Sequence, residues 1–264
     1  MGGPEVLCYS AHVVVTFLLL VSCAPEVEDS PAEMDELARL LLRDQGTDAA
    51  VQHAEQLGAW IDTIIDDPEE GYALSDLDAS WVEGLTYSPS TDFEAMVGAA
   101  VVRRTRGSIA QHVAVVPEAD QTFADASSYD RWNRTIVEGD AEDYRAGGAL
   151  LTDDDIVKSE LMNVTLPYPM AKRYGWVGLE RGEAQVFRGV IYEEGWAEDG
   201  NNGVIAGFSV EAWFPDGEDS VIWYEANWSQ VVTIVAFDDD FMANQIIDGI
   251  YAYMEGTEAH VAPE

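Results

Sequence analysis

The chain has 264 residues, with 50 Asp and Glu against 13 Lys and Arg, for a net charge of −37. A field of that sign repels nucleic-acid phosphate and anionic headgroups, which excludes nucleic acid as a partner. A hydrophobic fraction of 47%, with 8 Trp, 11 Tyr and 8 Phe, excludes a disordered chain and is enough for one sizeable core.

Val13 to Val21 is apolar except for Thr16, and it ends at Ser22-Cys23. An apolar run closed by a small residue is the layout of a secretory signal. It covers about half of the roughly 20 residues that a membrane-spanning helix needs. Leu20-Val21-Ser22-Cys23 also resembles the lipobox of bacterial lipoproteins. That resemblance implies removal of residues 1–22, acylation of Cys23, and an exported protein of the cell envelope. Ala24 after the cysteine implies sorting to an outer membrane. Cys8 and Cys23 are the two cysteines, so the mature body would carry no thiol and no disulfide and must hold together by packing.

Residues 23–29 read as a tether. Ser30-Pro31-Ala32-Glu33 is a helix start, with Ser30 as cap, Pro31 at the first helical position and Glu33 closing a capping box. Met34, Leu37, Ala38 and Leu41 share one face. After Gly46, Val51, Ala54, Leu57, Ile61, Ile64 and Ile65 recur at helical spacing, up to Asp66-Asp67-Pro68. Residues 30–68 therefore predict a helical hairpin whose apolar stripe is buried on the domain that follows, over 72–256. A tail, 257–264, closes the chain.

In that domain, residues 81–87 and 95–105 read as extended, and 107–116 is a further apolar run closed by Pro117. Pro117 opens a helix through Phe123, and Tyr129 to Trp132 reads as a second short helical segment. Strand-like runs follow at 156–166, 174–179, 185–192, 204–214, 221–228 and 231–237, separated by turn signals at Glu198 to Gly203 and Pro215 to Glu218. Val204 to Phe214 alternates large apolar residues with Gly207, Ser209 and Glu211, as a sheet with one buried face requires. Glu211, Glu225 and Arg188 are accordingly expected to point outward, the alternative being a buried Arg–carboxylate pair that orients a ligand headgroup. Asp238-Asp239-Asp240 opens a last helix, residues 241–254, with Met242, Ile246, Ile250 and Tyr253 on one face and Gly256 as its stop.

Two stretches carry a family likeness. Val113 to Asp125, followed by Tyr129-Asp130-Arg131-Trp132, resembles the first strand, first helix and tryptophan of the START domain. Leu166-Pro167-Tyr168-Pro169 with Arg173 resembles that family's Pro-aromatic-Pro segment before a central strand. The resemblance implies an α+β helix-grip fold, a curved antiparallel sheet around a long C-terminal helix. It also implies an elongated apolar cavity for a lipid, sterol or other hydrophobic molecule. On that reading Trp132, Phe208, Val210, Tyr224, Met242, Ile246 and Ile250 line the cavity, with the Phe208–Val210–Ala212 strand facing the last helix. The alternatives are an enzyme of the same superfamily, a cyclase or hydrolase, and a surface interaction protein with outward-facing aromatics.

No motif for catalysis stands out. His53, His112 and His260 lack metal-ligand spacing and read as surface or structural residues. Gly207-Phe208-Ser209-Val210-Glu211 lacks the second glycine of a nucleophile elbow. Asp199 to Gly203 fails the calcium-loop pattern. No cofactor motif is present, and a binding protein is favoured over an enzyme.

Overall fold

The computed structural model describes residues 27–29, 31–44, 47–64, 70–85, 87, 89–126, 128–146, 148–161, 164–178, 185–192, 203–232 and 237–262. At 28–29, 70, 149, 158–161, 164–178, 185–192, 203–205 and 232 the description is of the backbone alone. The signal segment, Cys23, Ser30, Gly46, Asp66 to Pro68 and the Glu198 turn lie outside these residues.

In chain order the elements are strand β1 (Glu28–Asp29), helices α1 (Ala32–Asp44) and α2 (Asp48–Ile61), and strands β2 (Glu70–Leu74) and β3 (Met96–Arg106). Helix α3 (Ile109–Val115), strand β4 (Tyr129–Glu138), helix α4 (Ala141–Arg145) and strand β5 (Ala149–Leu161) follow. Strands β6 (Val164–Gly178), β7 (Gln185–Tyr192), β8 (Gly203–Pro215) and β9 (Ser220–Val232) then lead into helix α5 (Asp239–Val261). The sheet order is β1-β2-β3-β9-β8-β7-β6-β5-β4. All neighbours are antiparallel except β1 with β2.

The hairpin forms where its apolar periodicity places it. Met34, Leu37, Ala38, Leu41 and Leu42 of α1 and Ala50, Ala54, Leu57 and Ile61 of α2 are buried. They share one core with the even-numbered residues of β8 and β9, Phe208, Val210, Ala212, Phe214, Ile222, Tyr224, Ala226 and Trp228. Gly58 lets α2 come down on the Phe214 ring. Tyr224 donates its hydroxyl to Met34 Sδ at 3.2 Å. Trp228 Nε1 donates to the Ser75 carbonyl at 3.0 Å, and the buried Asp35 of α1 accepts from the Ser75 N–H at 2.9 Å. The rest of this layer is closed by apolar contact.

Helix α5 covers the other face. Asp238 caps it by accepting from the Phe241 N–H at 2.8 Å. Ala243, Ile247, Ile250, Met254 and Thr257 form its buried stripe, with Ile246 and Tyr253 on the flank. Against it lie the odd-numbered Ala99 and Val101 of β3, Trp213 of β8, and Val221 and Trp223 of β9. Tyr253 also reaches Trp132 on β4, the last strand of the sheet, at 5.9 Å between ring centroids. The sheet thus touches α5 from β3 and from β4, which makes the arrangement a helix grip. Gly256 sits inside this helix and does not end it. A Cβ there would run into the Ala124 carbonyl oxygen, so close approach to the turn at Thr122–Asp125 requires the glycine.

Several local expectations are corrected. Residues 109–115 form helix α3, because Gly107 (φ +101°) breaks the strand and Gln111 Oε1 accepts from the Ser108 N–H at 2.8 Å. The strand that precedes this segment in the sheet is β3. Tyr129 to Trp132 opens strand β4, since its alternation of buried and exposed residues answers β5 across the ladder. Residues 79–82 form a 3₁₀ turn capped by Asp78. The expected 156–166 strand divides between β5 and β6. The expected 221–228 strand continues as β9 to Val232, taking in the first two residues of the expected 231–237 strand, of which 233–236 lie outside the described residues. Glu28 and Asp29, read as tether, pair with Tyr72 and Ala73 as an outermost strand.

Candidate functional site: the sheet face beneath the final helix

The two faces of β8 and β9 differ in chemistry. The hairpin face is mainly apolar, with Gln230 as a buried polar residue whose Oε1 accepts from the Asp92 N–H at 2.8 Å, while the α5 face carries buried polar and charged side chains among its tryptophans. Period-two alternation puts Ser209 and Glu211 on the same face as Trp213, and Glu225 and Ser229 on the same face as Trp223. Glu211 is 4% exposed and Glu225 7%, and the two stand directly opposite each other in the β8–β9 register. They point inward, which corrects the expectation that both face solvent. The reason is that each strand is covered on both sides, so a glutamate here has no wet face to choose.

Aromatic rings continue across this face. Trp213 and Trp223 lie 5.4 Å apart. Trp223 meets Tyr253 at 5.3 Å, Tyr253 meets Trp132, and Trp132 meets Tyr129 at 4.8 Å. His112 of α3 lies against Trp223 at 5.3 Å and Trp213 at 6.1 Å. It is fully buried, and its Nε2 donates to the Arg106 carbonyl at 3.2 Å. Burial lowers its pKa to about 4, so the ring is neutral at pH 7. Tyr144 of α4 is buried too; desolvation first, then the Glu211 charge, raises its phenol above the ordinary range, so it stays protonated.

At the β4–β5 end a buried ion pair closes the face. Arg134 and Asp154 oppose each other in register. Arg134 Nε and Nη2 donate to Asp154 at 2.9 and 2.8 Å, Arg134 Nη1 donates to the Val116 carbonyl at 2.8 Å, and Trp132 Nε1 donates to Asp154 Oδ2 at 2.6 Å. Both charged side chains are almost wholly inaccessible. The charges are thus paired and further hydrogen-bonded, the condition under which burial of ions is tolerated.

The residues expected to share one cavity separate into two layers. Phe208, Val210 and Tyr224 belong to the hairpin core, on the opposite side of the sheet from α5. Trp132, Ile246 and Ile250 lie on the α5 side, and Met242 is half-buried in the first turns of α5. The expectation that Phe208, Val210 and Ala212 face α5 is corrected: the even positions of β8 answer the hairpin. Residues that the sequence reading did not single out for this face are Arg134, Asp154, Tyr144 and His112. A signal for the glutamates was present, since Trp213 and Trp223 occupy the same odd positions as Glu211 and Glu225. Arg188 lies outside the residues whose side chains are described. Among the described residues no group of three or more His, Cys, Asp or Glu is placed to hold a metal ion, and no helix is long and apolar enough to cross a membrane.

By strand order and the position of its last helix the chain has a START-like α+β helix-grip fold. No family model and no curated protein matches its sequence. Solved structures resemble it at low identity. A Thermus thermophilus protein matches with a TM-score of 0.45 and 12% identity, over 61% of this chain and 94% of its own. A STAR-related lipid transfer protein from Xanthomonas axonopodis matches with 0.44 and 12%, over 74% and 94%. A START superfamily protein from Mycobacterium smegmatis matches with 0.42 and 9%, over 63% and 96%.

Proposed function

We propose that the chain is an exported, membrane-tethered binding protein for a hydrophobic small molecule of the lipid or sterol class, held between the sheet and α5. The observation that carries this reading is the contrast between the two sheet faces. The hairpin side is closed mainly by apolar packing, with Asp35 and Gln230 each hydrogen-bonded to backbone, while the α5 side combines an aromatic wall with inward glutamates and a neutral phenol. An apolar wall with a few convergent polar groups suits a ligand with an apolar body and one polar end. Within this reading Trp132, Ile246, Ile250 and Met242 meet the apolar body, and Glu211, Glu225 and Tyr144 meet the polar end. Tethering is supported by the apolar run ending at Ser22-Cys23. Between Cys23 and β1 only Ala24 to Val27 intervene, a reach of about 14 Å.

The test is a probe series. Wild type should bind a fluorescent fatty acid or sterol, and Ile246→Trp should abolish binding while leaving the circular dichroism spectrum unchanged. If wild type binds neither probe and Ile246→Trp unfolds the chain, the interior is solid and the reading fails. A second reading, catalysis of a cyclase or hydrolase type, draws on the same inward Glu211, Glu225 and Tyr144. It predicts conversion of a bound ligand that Glu211→Gln abolishes without loss of binding.

A further inference from the structure

A separate cleft of about 530 Å³ opens between α1, the end of β2 and the 3₁₀ turn at Ala79–Val82. Asp35, Glu36 and Arg39 of α1 line it, with Ala73, Ser75 and Trp81. Asp35 is buried and fixed on both sides: its Oδ1 accepts from the Ser75 N–H at 2.9 Å, and its Oδ2 accepts from Arg39 Nη2 at 2.6 Å. The guanidinium is held over the Trp81 ring, 5.1 Å from its centroid. Among the described residues Arg39 Nη1 makes no hydrogen bond, and Glu36, three residues away on the same helix, makes no ion pair. Arg39 is paired with Asp35 and not with Glu36, and its charge also acts on Asp78 at the 3₁₀ turn. The helix therefore presents a guanidinium edge and a carboxylate beside each other, next to an indole ring.

We propose that this cleft binds a zwitterionic phospholipid headgroup, its phosphate on Arg39, its ammonium on Glu36 and its glycerol end against Trp81. A guanidinium edge donates well to phosphate oxygens, and indole rings settle at membrane interfaces. The lipid is favoured over a soluble phosphate compound by position. Ala73 lines the cleft and pairs in register with Asp29 of β1, so the cleft lies beside the first described strand, which begins five residues after Cys23 in the sequence. This step rests on the tethering part of the reading above. The net charge of −37 opposes anionic bilayers, which leaves a zwitterionic surface as the compatible one.

The test uses the mature chain, from residue 23 onward, carrying Cys23→Ser, so that neither an acyl anchor nor the apolar run 13–21 contributes. It is titrated with glycerophosphoethanolamine and with glycerol phosphate, and floated with vesicles of phosphatidylethanolamine and phosphatidylcholine or of phosphatidylglycerol. The headgroup should bind, and the chain should float with the zwitterionic vesicles alone. Arg39→Lys keeps the charge beside Asp35 but loses the fork, and should weaken both ligands about tenfold. Glu36→Gln, an exposed change, should weaken glycerophosphoethanolamine roughly fivefold and leave glycerol phosphate unweakened. Indifference to Glu36→Gln overturns the zwitterion assignment, and binding of the soluble headgroup without flotation overturns the lipid source. Binding of neither overturns the site. Fluorescent-probe binding under α5, followed in the same variants, should stay at the wild-type level, so failure here and failure of the lipid-carrier reading are told apart.

Discussion

Replacing Asp154 with Ala is expected to destabilise the fold by about 3–5 kcal/mol, the cost of breaking a buried pair and leaving one charge behind. Arg134 would keep the Val116 carbonyl but lose its anionic partner in a site with no access to water. Trp132 Nε1 would lose its acceptor at the same time. Urea denaturation at pH 7 reads the loss as a lower midpoint at unchanged slope. The double change Arg134→Met with Asp154→Leu should recover most of it, because apolar residues of similar volume can replace a buried pair. A loss below about 1 kcal/mol for Asp154→Ala would mean that water reaches the pair.

Acid should weaken the fold through His112. Its folded pKa is about 4, below the ordinary value of 6.5. Because the unfolded chain takes up the proton first, His112 leaves stability whole above pH 6.5. The loss grows as pH falls from 6.5 to 4 and levels off below that. The full difference is about 3 kcal/mol, at 1.36 kcal/mol per pH unit. The cause is burial, and Nδ1 has no hydrogen-bond partner among the described residues to receive a proton's charge. Carboxylates also titrate in this range, so the readout is the difference between wild type and His112→Phe, measured by denaturation at each pH. Wild type should lose stability relative to the variant between pH 6.5 and 4; parallel curves would mean that His112 protonates without penalty.

The elements with a full apolar stripe were legible in the sequence. The α1–α2 hairpin follows from Met34, Leu37, Ala38 and Leu41 and from Ala54, Leu57 and Ile61, and Asp238 marks the start of α5. The helix-grip class followed from the order of elements, even though the motif placed as its first strand folds as α3. That segment is rich in valine, and local capping by Ser108 and Gln111 outweighs its strand preference. The site was legible less well. Reading β8 as a strand with one wet face put Glu211 in solvent and Phe208 under α5, and both assignments invert once the hairpin covers the even face. Alternation says which residues share a face; which layer covers that face depends on partners distant in the chain. The Arg134–Asp154 pair shows the same limit, because its members lie on different strands and meet only through the β4–β5 register.

The most direct measurement of the central claim is native mass spectrometry of the chain purified from its own host without detergent extraction of bound lipid. The account predicts a species heavier than the polypeptide and its anchor by one hydrophobic small molecule, released on unfolding and absent from Ile246→Trp. A wild-type mass equal to polypeptide and anchor alone, together with no uptake of added fatty acid or sterol, would contradict it.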